Sequence, residues 1–224
     1  MPRAGLSRDR VVEEAALMVD ETGLHRLTLA ALAERLGIRQ PSLYKHIDSI
    51  AGLHRDISVR AKRELGQVLA RAAVGRSGAA AVQAMSHAYR DWARQHPARY
   101  ESSQRMPSPG DVEDEAVSLA GVQVIADVLA AYDLAGDDAI DAIRALRSAL
   151  HGFVSFETTG SFAMSADIDR SFERLVHGFT VALTRWTETA DAEEVAGQKE
   201  ENPAGASPSM PSEATSTPSR RISR

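Results

Sequence analysis

The chain has 224 residues, 43% of them hydrophobic and 25% charged, with a formal net charge of -5. At roughly 150 residues per domain this allows one domain, or a small one joined to a larger one. There is no cysteine, which excludes a disulfide scaffold, a thiolate metal site and a cysteine nucleophile.

In chain order the pattern is helical, with no convincing strand alternation. A first helix is predicted from Arg8 to about Thr22, capped by Ser7, with Val12, Ala15, Ala16 and Val19 on one face and Gly23 ending it. A short helix follows from Leu29 to Leu36, with Thr28 as cap and Gly37 as terminator. A third begins at Gln40, with Pro41 at a permitted first-turn position, and ends near Ile47. Asp48 or Ser49 caps a longer fourth helix carrying Leu53, Ile57, Ala61, Leu65 and Leu69. Further helices are expected over 79–96, 98–105, 111–132, 138–159 and 167–188, nine in all. Met106-Pro107-Ser108-Pro109-Gly110 is a loop. Asn202 to Arg224 holds four prolines, six serines and two threonines. That composition cannot offset the entropy of ordering, so 190–224 is expected to be a disordered tail. The arginines of residues 1–10 are not followed by an apolar run, and the apolar stretches fall short of the roughly 18 residues of a membrane helix. The expectation is a soluble, cytoplasmic protein without membrane contact.

Charge is unevenly spread. Residues 1–65 hold 11 Lys/Arg against 9 Asp/Glu, and the remainder 15 against 22. A small surface that meets phosphates, carried on an acidic body, fits this asymmetry. The segment Thr28 to Ile47 offers such a surface: two short helices around Gly37, the second too short to be stable alone. Ala33, Ile38, Leu43 and Ile47 would hold it, leaving Arg39, Gln40, Ser42, Tyr44, Lys45 and His46 outside. This matches a helix-turn-helix, whose second helix enters the major groove. Arg and Gln read base edges with paired hydrogen bonds; Ser, Tyr and Lys more often reach phosphates. Thr28 and Ser49, at helix starts, join the expected DNA-binding set. Arg3, Arg8 and Arg10 would add phosphate contacts from the arm and first helix.

From Ser7 to Ile57 the chain resembles the N-terminal domain of TetR-type transcriptional regulators. The pieces that carry the resemblance are Thr22-Gly23, Leu27-Thr28, Leu32-Ala33-Glu34-Arg35-Leu36-Gly37-Ile38 and, most specifically, Pro41-Ser42-Leu43-Tyr44-Lys45-His46-Ile47 followed by Leu53. The resemblance implies that the third helix reads an operator. Two departures stand out: Ile47 replaces a customary aromatic residue, and Ile50 a lysine that commonly touches phosphate. The segment from His151-Gly152-Phe153 to Phe162 resembles a C-terminal domain type marked by a Trp-His-Gly triplet, with Leu150 in place of the Trp.

The implied architecture is all-α: residues 1–50 a helix-turn-helix head, 51–189 a helical regulatory and dimerisation domain. The family pairs its last two helices with their copies, which points to Ile143, Leu146, Leu150, Leu175, Phe179 and Leu183 as dimerisation residues. Amphipathic position nominates Tyr100, Gln123, Phe153, Phe156, Glu157 and Phe179 as ligand contacts. No cofactor and no metal are expected, and no phosphate loop or nucleophile elbow is present. The expected function is a homodimeric repressor, bound to a palindromic double-stranded operator and released by a small-molecule effector. The competing readings are an activator or ligand-independent regulator, and an all-helical small-molecule-binding or interaction protein without operator recognition.

Overall fold

The structure, a computed structural model, describes residues 6–186. The tail expected at 190–224 and the arm residue Arg3 lie outside them. Helix α1 spans Arg8–Thr22; the Ser7 hydroxyl accepts from the Arg10 amide at 3.2 Å, and Gly23 ends the helix. Gly23 sits at φ +89°, where an L side chain is strained, and donates its N–H to the Val19 carbonyl at 2.8 Å. A 3-10 turn, Leu24–Arg26, leads to α2, Leu29–Arg35, capped by Thr28. Gly37, at φ +66°, lets the chain reverse, and the Ile38 amide reaches the Ala33 carbonyl at 3.0 Å. The third helix, Gln40–Lys45, is a 3-10 helix, shorter than expected; it is the expected reading helix of the helix-turn-helix. The remaining helices are α3 (Ile50–Ala73), α4 (Gly78–Gln95), α5 (Pro97–Ser103), α6 (Val112–Leu129), α7 (Gly136–Thr158) and α8 (Ile168–Leu183). Counting the reading helix, these are nine among the described residues, with no strand. The 3-10 turns at Leu24–Arg26 and Ala130–Tyr132 were not expected, because three residues carry no periodic signal.

Two hydrophobic clusters form, and α3 supplies both. Leu53 and Ile57 from its first turns join Val11, Ala15, Val19, Leu32, Leu43 and Ile47 in the head. Its later residues Ala61, Leu65 and Leu69 join Met85, Trp92, Leu129, Leu146 and Phe172 in the body. Ala98 of α5 reaches into the head cluster. A movement of α3 therefore moves packed side chains in both cores.

Three of the expected dimerisation residues are corrected. Leu146, Leu150 and Leu183 are buried within the single chain, so they contribute to its own core rather than to an outer face. A period of 3.6 marks an apolar face but cannot say which neighbour covers it. Ile143, Leu175 and Phe179 are half-buried, and Ile140 and Val181 are exposed beside them on the same two helices. One stretch also departs from the expected shortness of apolar runs. Val112–Tyr132, α6 with its following turn, has 21 residues of mean hydropathy 1.4, long and apolar enough to cross a membrane by length and composition alone. Its Ile125, Val128 and Leu129 face the body core, and a buried carboxylate, Asp114, anchors its first turn to α3.

Candidate nucleic-acid interface

The reading helix is built from the inside out. Leu43 and Ile47 are 0% and 1% exposed in the head core. Burying each contributes roughly 1.5–3 kcal/mol, enough together to offset a helix-nucleation factor of about 10⁻³. Ile47, in place of an aromatic residue, thus fills the core position without leaving a polar group there. The short helix closes with i→i+3 bonds, Ser42 N–H to Arg39 C=O at 2.9 Å and His46 N–H to Leu43 C=O at 2.8 Å.

Its outer side chains are Arg39, Gln40, Tyr44 and Lys45, all exposed, with Ser42 and His46 half-buried. Tyr44 is 55% exposed, unusual for an aromatic residue on a monomer surface. Among the described residues, none of these six side chains makes a hydrogen bond, ion pair or ring contact within the chain. They form a set of donors and acceptors held on a fixed backbone, with no partner among the described residues. Thr28 and Ser49 differ. The Thr28 hydroxyl accepts from the Ala31 amide at 3.1 Å, and the Ser49 hydroxyl from the Gly52 amide at 2.9 Å. Both side chains are engaged as helix caps. Ile50, where a phosphate-touching lysine is customary, is 37% exposed.

The arginines expected to reach phosphate from the first helix are each paired with a carboxylate. Arg8 donates two hydrogen bonds, each 3.0 Å, to the buried Asp56 carboxylate. Arg10 pairs with Glu13 and Glu14. Arg35 joins α1 to α2 by pairing with Glu14 and Glu21, and its hydrogen bonds hold the Glu21 carboxyl below the usual carboxylate range. Sequence spacing does not reveal the Arg8 pair, because Arg8 and Asp56 are 48 positions apart, whereas Arg10 with Glu13 and Glu14 has the i+3 and i+4 spacing of one helix face.

Behind the head, charged groups tie it to the body. Arg55 of α3 binds Asp111, the cap of α6, through both guanidinium arms, and also Asp56 and Glu113. Its hydrogen bonds lower the Asp111 carboxyl to about 2 against an opposing desolvation effect. Lys62 meets the fully buried Asp114 at 2.5 Å. On the other flank, Asp20 of α1 receives Arg99 and His96, and Arg99 also reaches Glu64 of α3.

The six expected ligand contacts do not assemble into one site, and none of them lines the three described cavities. Tyr100 is buried, its hydroxyl 2.8 Å from the Tyr89 hydroxyl and 2.6 Å from His151 Nδ1, and burial raises its pKa. Glu157 accepts two hydrogen bonds from the buried Arg90, whose guanidinium also lies over the Phe172 ring. Phe153 packs against Phe162 and Phe172, while Phe156 is exposed. Phe179 packs against Trp186. Gln123 is exposed and donates to Asp127 on its own helix. The cavities lie elsewhere, chiefly between α3 and α6. One of about 390 Å³ is walled by Gly66, Ala70, Val117, Ala120, Gly121 and Val124, with Lys62, Arg63 and Gln67 at its edge. A second of about 320 Å³ shares Ala70 and Val124 with it.

Residues 82–179 match the family described as the tetracyclin repressor-like, C-terminal domain; the match does not carry the Trp-His-Gly subtype. The chain is 39% identical over 186 residues to the uncharacterized HTH-type transcriptional regulator Rv0681 of Mycobacterium tuberculosis, covering 82% of this chain and 84% of that protein. It is 32% identical over 183 residues to the uncharacterized HTH-type transcriptional regulator YobS of Bacillus subtilis, covering 81% and 95%. The fold matches the Streptomyces coelicolor TetR family protein ActR in complex with (S)-DNPA, with a TM-score of 0.59 and 20% identity over 81% of this chain and 98% of that one. The first two of these relatives are HTH-type transcriptional regulators. With a helix-turn-helix whose reading face is unsatisfied, and regulators matched along most of its length, the chain belongs to the TetR family of DNA-binding transcriptional regulators.

Proposed function

We propose that this regulator is a cytoplasmic homodimeric repressor that leaves a palindromic operator when a small molecule binds its body. Residues 1–50 serve as the reading head and 51–189 as the regulatory and dimerisation domain. The observation that carries the reading is the reading helix itself: Arg39, Gln40, Ser42, Tyr44, Lys45 and His46 project from a helix anchored by Leu43 and Ile47, with no partner among the described residues. Arg39 and Gln40 read base edges; Ser42, Tyr44, Lys45 and His46 hold phosphates. One head makes few contacts, so two heads on half-sites roughly 34–36 Å apart supply the specificity.

The effector site in this reading is the groove between α3 and α6, not the dispersed six residues. Its walls are small and apolar, so its occupant is an apolar molecule held by shape. The bound (S)-DNPA of ActR supports small-molecule control in a protein of this fold. A ligand that parts α6 from α3 strains the Arg55–Asp111 clamp and tilts the helix whose Leu53 and Ile57 support the head. It releases DNA only to the extent that it binds the separated arrangement more tightly.

The test is selection of bound duplexes from a random pool, at physiological salt, with the purified full chain. A palindrome with half-sites about one helical turn or slightly more apart is the expected recovery. A pool without enriched sequence would sink the operator reading.

A further inference from the structure

The described Lys and Arg residues of the head, and those of α3 as far as Arg63, fall into two groups. Arg8, Arg10, Arg35, Arg55, Arg60, Lys62 and Arg63 each lie within ion-pair distance of a carboxylate. Arg26, Arg39 and Lys45 make no ion pair among the described residues. The distinction matters for nucleic acid. An arginine already neutralised by a carboxylate presents little net charge to a phosphate, and must exchange one anion for another. An uncompensated cation displaces condensed counterions from the duplex, which is the dominant sequence-independent gain. Two of the three uncompensated cations, Arg39 and Lys45, belong to the reading helix and its start. The third is Arg26, which neither periodicity nor motif singled out.

Arg26 closes the 3-10 turn after α1. Leu27 follows in an extended conformation, φ -68° and ψ 114°, and is buried; Thr28, also extended, caps α2. Leu27 is buried in the head core, while Arg26 at the end of the turn before it and Thr28 after it stand exposed. Arg26 is thereby placed at the entry to the first helix of the helix-turn-helix, the one that crosses the DNA backbone when the second lies in the groove.

We propose that Arg26 is a phosphate contact: an anchor that binds the duplex backbone beside the major groove read by Arg39 and Gln40, and that sets affinity without setting sequence preference. The proposal rests on the DNA-reading assignment above. It gives the head a third uncompensated cation outside the reading helix, in place of the arginines of α1.

The experiment is fluorescence anisotropy with two labelled duplexes, a palindrome recovered by selection and its scrambled counterpart, over a salt series. The wild type is compared with Arg26→Gln, Arg26→Lys, Arg10→Gln and Lys45→Gln. Each phosphate contact contributes about 0.9 to the slope of log affinity against log salt. Arg26→Gln should lose about that much slope on both duplexes, making binding about threefold less sensitive to salt between about 50 and about 200 mM. Arg26→Lys and Arg10→Gln should keep the wild-type slope. An unchanged slope in Arg26→Gln, alongside a reduced one in Lys45→Gln, would overturn the role of Arg26 and leave the reading helix standing. So would a loss confined to the palindrome, since that would be base reading. Absence of salt-sensitive duplex binding by the wild type would overturn the DNA-reading assignment itself.

Discussion

At the level of single residues, the head separates side chains that hold it together from those left for a partner. Leu43 shows the first kind: it is 0% exposed, on a helix with almost no other means of staying in place. Lys45 and Arg39 show the second, exposed and without an ion-pair partner among the described residues. The two kinds predict different losses. Lys45→Ala should weaken binding to all duplexes and reduce the salt slope by about one, with the melting temperature unchanged. Arg39→Ala should cost about 1–3 kcal/mol on the selected palindrome and relax preference at one or two base positions, seen by repeating the selection with the variant. Equal losses on palindrome and scrambled duplex would reassign Arg39 to phosphate. Leu43→Ala should instead destabilise the head by about 2–5 kcal/mol and lower the thermal midpoint.

Between elements, the decisive contact is α3 against α6. A methyl group added at Gly66 would lie 3.7 Å from the Gly121 Cα, ordinary packing distance, so the two helices leave room for it at this crossing. Gly66→Ala should therefore fit and stabilise the helix by about 0.5–1 kcal/mol. Gly66→Leu should fill the groove at a cost of about 1–3 kcal/mol. If the groove holds the effector, the leucine variant keeps operator binding and loses release in a gel-shift titration; retained release would move the effector site elsewhere. The same junction carries a pH dependence. Asp111 has its pKa lowered from 3.8 to about 2, chiefly by hydrogen bonds from Arg55, and Glu113 is lowered for the same reason. Between these values the unfolded chain binds more protons than the folded one. The clamp's contribution is therefore complete above the ordinary carboxylate pKa and lost as pH falls toward 2. Thermal melts at stepped pH should show stability falling through this acid window, and Arg55→Gln should flatten that part of the profile. An identical profile in the variant would show that other carboxylates govern the acid limb.

For the whole molecule, the proposed homodimer needs two heads at a fixed spacing, so the outer face of α7 and α8 matters as much as the reading helix. Leu146, Leu150 and Leu183 are taken up by the chain's own core. In the proposed dimer the half-buried Ile143, Leu175 and Phe179 meet the partner copy, together with the exposed Ile140 and Val181. Val181, 49% exposed on α8, is the more informative position. Val181→Glu should yield a folded monomer by sedimentation and abolish high-affinity binding to the palindrome while sparing weak, salt-sensitive binding. A dimer that survives this change would place the interface elsewhere. Leu146→Glu should instead lower the melting temperature, because the carboxylate would be buried without a partner.

The sequence by itself determined the helical class, the caps at Ser7 and Thr28, the choice of Asp48 or Ser49 for the next cap, the turn at Gly37 and the composition of the reading face. Each of these is local: a hydroxyl bonds an amide three residues on, a glycine takes a positive φ, and apolar residues recur along one short segment. The motif from Pro41 to Ile47 was legible for the same reason. Only the tertiary structure decided which arginines remain uncompensated, which leucines are interior and where the cavities lie. Arg8 is neutralised by Asp56 and Arg55 by Asp111, partners 48 and 56 positions away. A helical period reports that a face is apolar, not whether α4 or a second molecule covers it. Pairing and packing depend on which segments the fold brings together, and that information is not held within any one stretch of the chain.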